Sequence, residues 1–198
     1  MRFSGVQSIV QSSTRSQPRR QPKRVSGSLT AIAACLAACG PIAEPGGFDP
    51  DYCPPVEDWS GDWASFEEEV VALGNQARAA GATCGNVPYP AVPAVRPDAE
   101  LRCAARNHSR DMAERGYFAH ESPEGETPAD RVERAGFDWT AIGENIALGY
   151  ETPDEVMRGW LASPDHCANL MSELFEYVGV GYYDDGEHPT WTQDFARP

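Results

Sequence analysis

Two imidazoles and one carboxylate, His120, Glu144 and His166, are the residues of this chain whose types and settings could do chemistry. His120 follows "GYFA" and precedes "ESPEGETP", and His166 follows "SPD" and precedes "CANLM". Each stands at an element boundary, where functional side chains tend to be presented. Glu144 lies in "TAIGENIALGY", Thr140 to Tyr150, a run of Ile, Gly, Ala and Leu that reads as buried chain. A buried charge demands partners. Such a trio can ligate a divalent ion such as zinc with one position open, or hold a hydrogen-bonded water for general-base work. No HExxH pattern sets the three on one helix face, so the fold would have to assemble them. Taken alone, Glu144 fits equally well a buried acid satisfied by backbone N–H groups that hold a "GEN" turn. The other histidines promise less. His188 lies in a polar turn and is expected to be solvated, and His108 lies on an apolar helix face, where a hydrogen-bonded core residue is the commoner role. Ser109, Ser122 and Ser163 sit in no nucleophile-elbow pattern.

The elements that must position these residues are partly legible. Phe66, Val70, Leu73 and Ala77 recur at helical spacing and Gly81 offers the stop. "CGNVPYPAVPAVRP" is too rich in proline for anything but a loop. Asp98 caps a second helix in which Leu101, Ala104, Ala105, His108 and Met112 share a face, ending at Gly116. Thr127-Pro128-Ala129-Asp130 and Thr152-Pro153-Asp154-Glu155 each begin a helix with a capping hydroxyl, a proline at the first position and a carboxylate three residues on. Ser163-Pro164-Asp165 starts another, through Leu170. "YVGVGYY" and "TWTQDF" read as strands joined by the acidic turn "DDGEHP". Helices followed by a late hairpin indicate an α+β fold with a helix-covered sheet.

The 198 residues suit one globular domain with a preamble. Six of the 16 basic residues, from Arg2 to Arg24, precede the first of the 30 acids, leaving a remainder of net charge about −20 that repels nucleic acid and anionic membrane faces. After that basic segment "VSGSLTAIAACLAACG" supplies a short apolar core, below the roughly 20 residues a bilayer span needs, so residues 1–38 read as an export leader. Leu36-Ala37-Ala38-Cys39 resembles a lipobox, with Cys39 the acylated residue. Ile32-Ala33-Ala34-Cys35 fits the same pattern with a shorter core, and a plain secretory signal is the alternative. Cutting at Cys39 leaves Cys53, Cys84, Cys103 and Cys167, which in an oxidising compartment form two disulfides. Three pairings are open; Cys84 with Cys167 and Cys53 with Cys103 is preferred. Residues 39–62, crowded with Gly, Pro and Asp, read as a flexible tether, with residues 63–198 the domain. No CxxC spacing exists for a cysteine zinc site.

The ordered runs "AARNHSRDMAERGYFAHESPEG", "RVERAGF", "GENIALGY", "VMRGWLASPDHCANLM", "YVGVGYY" and "WTQDF" resemble a bacterial member of the CAP superfamily (cysteine-rich secretory proteins, antigen 5, pathogenesis-related 1), also called the SCP domain, over about residues 64 to 198. The resemblance implies a three-layer α-β-α sandwich with a central cleft holding two histidines and two acids, able to bind zinc in some members. His120 matches the first histidine, Glu144 the first acid and His166 the second histidine. The second acid falls at Ser163, a departure for which Asp165 is the nearest carboxylate; Ser122 and Asn145 are the implied supporting cleft residues. Leader and resemblance together imply an exported, monomeric protein of the cell envelope, lipid-anchored or secreted. Its cleft binds a small apolar ligand, a metal or a partner protein. The alternative is a metal-assisted hydrolase or protease with His120 or His166 as general base.

Overall fold

The computed structural model describes residues 5–12 and 47–198. The lipobox and Cys39 lie outside them. The chain forms a sheet of order β1-β5-β7-β6-β4, comprising β1 (Gly5–Ser12), β4 (Arg96–Pro97), β5 (Ala141–Leu148), β6 (Tyr177–Tyr183) and β7 (Thr190–Arg197). A separate hairpin pairs β2 (Ala82–Cys84) with β3 (Val87–Tyr89). The proline-rich stretch therefore contains this hairpin and the two-residue β4 where a loop was expected. β4 pairs in parallel with β6, while the longer strands pair antiparallel.

Among the described residues five α-helices cover the sheet: α1 (Gly61–Ala80), α2 (Ala99–Arg115), α3 (Pro128–Ala135), α4 (Pro153–Ala162) and α5 (Pro164–Leu170). Val70 of α1, Val156, Met157 and Trp160 of α4 and Leu170 of α5 pack with Val178, Val180, Trp191 and Phe195 on one face. Leu101 and Ala104 of α2 and Val132 and Ala135 of α3 pack with Ile142 and Ala196 on the other. The layers are thus α-β-α, as expected.

Local signals explain most boundaries. The Asp98 carboxylate accepts from the Leu101 amide and opens α2, and Gly116 closes it in the left-handed region at φ 67°. Thr127 and Asp130 complete a reciprocal capping box on α3. The apolar stripe that spacing suggested does face the core, with Phe66 and Leu73 half-buried against it, but it is not the most deeply buried line of α1. That line is Glu67, Val70, Gly74 and Arg78. Glu67 receives the Arg106 guanidinium at 2.6 Å and the Tyr182 amide at 3.1 Å, which ties α1 to α2. Arg78 donates to the carbonyls of Pro93, Leu170 and Ser172, satisfying loop acceptors that the fold buries.

Two glycines set the depth of the α2 layer. A Cβ at Gly179 would overlap the backbone of Leu101 and Arg102, and one at Gly181 that of Ala105 and Arg106. The helix lies directly on the strand, which is why "YVGVGYY" carries glycine at alternate positions. Cys53 bonds to Cys103 and Cys84 to Cys167, the preferred pairing. From residue 47 on, the segment read as tether is packed against the domain: Val56 is buried and its carbonyl accepts from Arg106. Among the described residues no helix is long and apolar enough to cross a membrane.

Candidate functional site

"AIGENIAL" is a strand and not a turn, and this decides how the site is arranged. Both faces of β5 are buried, so its sequence shows no alternation of polar and apolar residues. Successive side chains nevertheless point to opposite faces. Glu144 enters the layer of α2 and α3, and Asn145 enters the layer of α5.

On the first face Glu144 is fully buried and both its oxygens are engaged. Oε1 lies 2.6 Å from His120 Nδ1, and Oε2 accepts from Arg131 Nη2 at 2.7 Å. The same Arg131 nitrogen donates to the His120 carbonyl at 2.9 Å, and Nη1 to the Glu126 carbonyl at 3.1 Å. One guanidinium thus fixes the acid and the loop that presents the histidine. His108 approaches from α2, its Nε2 3.9 Å from Glu144 Oε1. Asp194 on β7 stands directly opposite Glu144 in the sheet and is equally buried.

Electrostatics sort these groups. Burial opposes ionisation of Glu144, but Arg131 and the imidazoles outweigh it and hold the carboxyl below the usual carboxylate range. Asp194 goes the other way: burial, then the adjacent Glu144 charge, raises it well above its ordinary value, so it stays protonated. Burial and then the Arg131 charge push His108 down to about 3, so it is neutral. Its approach to Glu144 is therefore not an ion pair at neutral pH. The Glu144 carboxylate draws the Nδ1 proton of His120, an assignment made from the hydrogen-bond network. His120 Nε2 is buried and no described residue engages it.

On the second face Asn145 Nδ2 donates to the His166 carbonyl at 3.3 Å and to Gln193 Oε1 at 3.2 Å, while Asn169 Nδ2 donates to Asn145 Oδ1 at 3.0 Å. This amide network fastens α5 to the sheet. His166 Nδ1 meets Ser163 Oγ at 2.7 Å, where α4 passes into α5.

The expected trio is therefore divided. Glu144 is joined with His120 on one face, and His166 belongs to α5 on the other. The residues do not fit a shared zinc ion: neither Glu144 oxygen is free, and among the described residues no three His, Cys, Asp or Glu side chains stand together as ligands. Asp165 is exposed and supplies no carboxylate to the site. Ser122 stabilises its own turn by accepting from the Glu124 and Glu126 amides. It also lines, with His108 and Arg131, a polar cavity of about 550 Å³ on the α2 and α3 side. His188 is an exposed turn residue, as expected. Sequence reasoning missed Arg131 and Asp194. Asp194 carried a usable signal, since it shares a strand face with Thr192 in "TWTQDF" and an acid inside a doubly covered strand must be buried.

The profile of the family described as CAP, the cysteine-rich secretory protein family, matches residues 71–195. The uncharacterized protein YkwD of Bacillus subtilis (strain 168) is 34% identical over 132 residues, covering 67% of this chain and 47% of the relative. The crystal structure of an extracellular protein containing a SCP domain from Bacillus anthracis (strain Ames) superimposes with a TM-score of 0.60 at 32% identity, covering 68% of this chain and 41% of that one. An outer surface protein of Borrelia burgdorferi shares the fold, with a TM-score of 0.55 at 19% identity, covering 71% of this chain and 95% of that one. The chain spans less than half the length of the two Bacillus relatives.

Proposed function

The chain belongs to the CAP, or cysteine-rich secretory protein, family, and on that premise we propose that it is an exported binding module. A cleft beside His120 and Glu144 holds its ligand, and acylated Cys39 attaches it to the envelope. The observation that carries this reading is the closed charge balance at Glu144. Arg131 and His120 engage both oxygens of the carboxylate, which is a weak base with its pKa lowered, and among the described residues no hydroxyl or thiol in hydrogen-bonding contact with His120 stands ready as a nucleophile. One polar atom, His120 Nε2, remains to orient a bound group. Export is supported by the leader-like residues 1–38, by two disulfides and by the extracellular character of the Bacillus anthracis relative.

The test is native mass spectrometry of the chain isolated from producing cells without denaturation. The expected result is a bound adduct, a small apolar molecule or a polypeptide, that His120→Ala loses while keeping its fold. A bare polypeptide mass in every preparation, with turnover of an ester or peptide library, would overturn the binding reading. For the anchor, Cys39→Ser is expected to release the protein from membranes, and unchanged partitioning would refute acylation.

The 2.7 Å contact between Ser163 and His166 supports a second reading, a serine hydrolase with His166 as base. A fluorophosphonate probe that labels Ser163 would favour it, and no labelling of the folded protein would dismiss it.

A further inference from the structure

The edge of the sheet at β5 carries a partner strand along its whole length. Gly5–Ser12 runs antiparallel to it without a bulge, from Gly5 opposite Leu148 to Ser12 opposite Ala141. Those eight residues precede the lipobox, so cleavage before Cys39 severs them from the domain. Removal leaves β5 with β7 on one side and unpaired N–H and C=O groups on the other.

Exposed edges are ordinarily blunted by proline, lysine, a bulge or shortness. β5 has none of these. "AIGENIAL" is eight residues long, lacks proline and lysine, and turns its one charge, Glu144, into the Arg131 clamp. At the opposite edge of the sheet, the two-residue β4 ends in Pro97, and the Tyr182 amide of β6 is taken by Glu67. One edge is closed and the other is built open. The open edge also has walls: the His120 loop is held to one face of β5 through Glu144, and α5 is held to the other through Asn145.

We infer that in the processed chain β5 is a docking strand for an extended polypeptide segment of a partner, about eight residues long, and that the leader strand is its placeholder. This rests on the reading of the protein as a binding module and of residues 1–38 as a removable leader. Main-chain hydrogen bonds supply the affinity, so the occupant needs free backbone amides more than a fixed side-chain sequence.

The experiment is amide hydrogen exchange over Ala141–Leu148 in the chain isolated after export, its intact mass establishing whether residues 5–12 are gone. The probes are a synthetic peptide GVQSIVQS and its counterpart with proline at both central positions. Two successive prolines remove at least one N–H that faces β5. The first peptide is expected to slow exchange of alternate β5 amides by about tenfold or more, and the second to leave them unchanged. No slowing at millimolar peptide overturns the inference. So does slow exchange without peptide in a chain that dimerises with concentration, because a second copy then covers the edge. If residues 5–12 are still attached, the leader reading fails, and the edge is tested in the full chain with Ser8→Pro/Ile9→Pro. Lost β5 protection that GVQSIVQS restores in trans supports the docking strand, and undiminished protection refutes it. An adduct that depends on His120, found together with an inert β5 edge, refutes the docking strand alone and leaves the binding module standing.

Discussion

Glu144 and Asn145 are adjacent in sequence, yet they anchor opposite sides of the molecule by different means. On the α2 and α3 side, a buried carboxylate, a buried guanidinium and two imidazoles form a charge-balanced cluster beside a protonated Asp194. On the α5 side, neutral amides and a carbonyl do the fastening. Each side also has its own disulfide, Cys103 lying on α2 and Cys167 on α5. The two sides differ in what the loss of a partner costs. A neutral amide deprived of its partner leaves an unmade hydrogen bond, whereas a buried ion deprived of its counter-ion leaves an uncompensated charge. The charged side therefore specifies one arrangement strictly, while the amide side holds with more tolerance.

The difference between the sides is broken most directly at Arg131. Arg131→Met is expected to lower unfolding free energy by about 3–5 kcal/mol in urea titration, and adding Glu144→Gln should recover part of the loss. A loss below about 1 kcal/mol would mean that the cluster is not held by its charge balance.

Next in size is a pH effect carried by His108. Its folded pKa is depressed to about 3 against 6.5 for the free side chain. The unfolded chain therefore takes up the proton first as pH falls, and the stability this residue contributes above pH 6.5 is lost between pH 6.5 and about 3. At pH 5 the loss is about 2 kcal/mol, read from unfolding curves at pH 7 and pH 5. His108→Phe should remove this component of the acid sensitivity, and an unchanged pH dependence would contradict a neutral buried imidazole.

Asn145→Ala samples the amide side and is expected to cost about 1–2 kcal/mol, with faster hydrogen exchange confined to α5. A cost equal to that of Arg131→Met would erase the distinction between the faces. The smallest effect belongs to Arg115, whose 2.6 Å pair with Glu124 is as short as the buried contacts but exposed. Arg115→Ala should leave the unfolding midpoint unchanged within error, which would show that burial and not distance separates the two kinds of ion pair.

Much of this architecture could be read from the chain because its signals are local. Threonine, proline and acid within four residues opened α3 and α4, and Gly81 and Gly116 closed α1 and α2. The late hairpin was legible from its aromatic and β-branched runs. β5 was not, because a strand covered on both faces loses the alternation that betrays strands. That omission hid the division of the site: once 141–148 is a strand, Glu144 and Asn145 must face apart, and His120 and His166 follow their separate partners. Residue types put His120 and Glu144 in one group with His166, and the family resemblance set all three in one cleft; neither separated the pair from His166. Arg131 had no such mark, since a buried arginine and an exposed one look alike in "RVERAGF", and neither did the burial of Glu67 and Arg78 on α1.

The contact of α2 with Gly179 and Gly181 has a consequence for variation. A library of single substitutions along β6 should show two nearly empty columns, at 179 and 181, flanking one at Val180 that admits apolar residues of similar size, because its side chain belongs to the opposite hydrophobic layer. Even alanine at either glycine has to lift the helix from the strand, and His108 travels with that helix. Variants with every site residue intact would then present an altered site, displaced by a methyl group on the neighbouring strand.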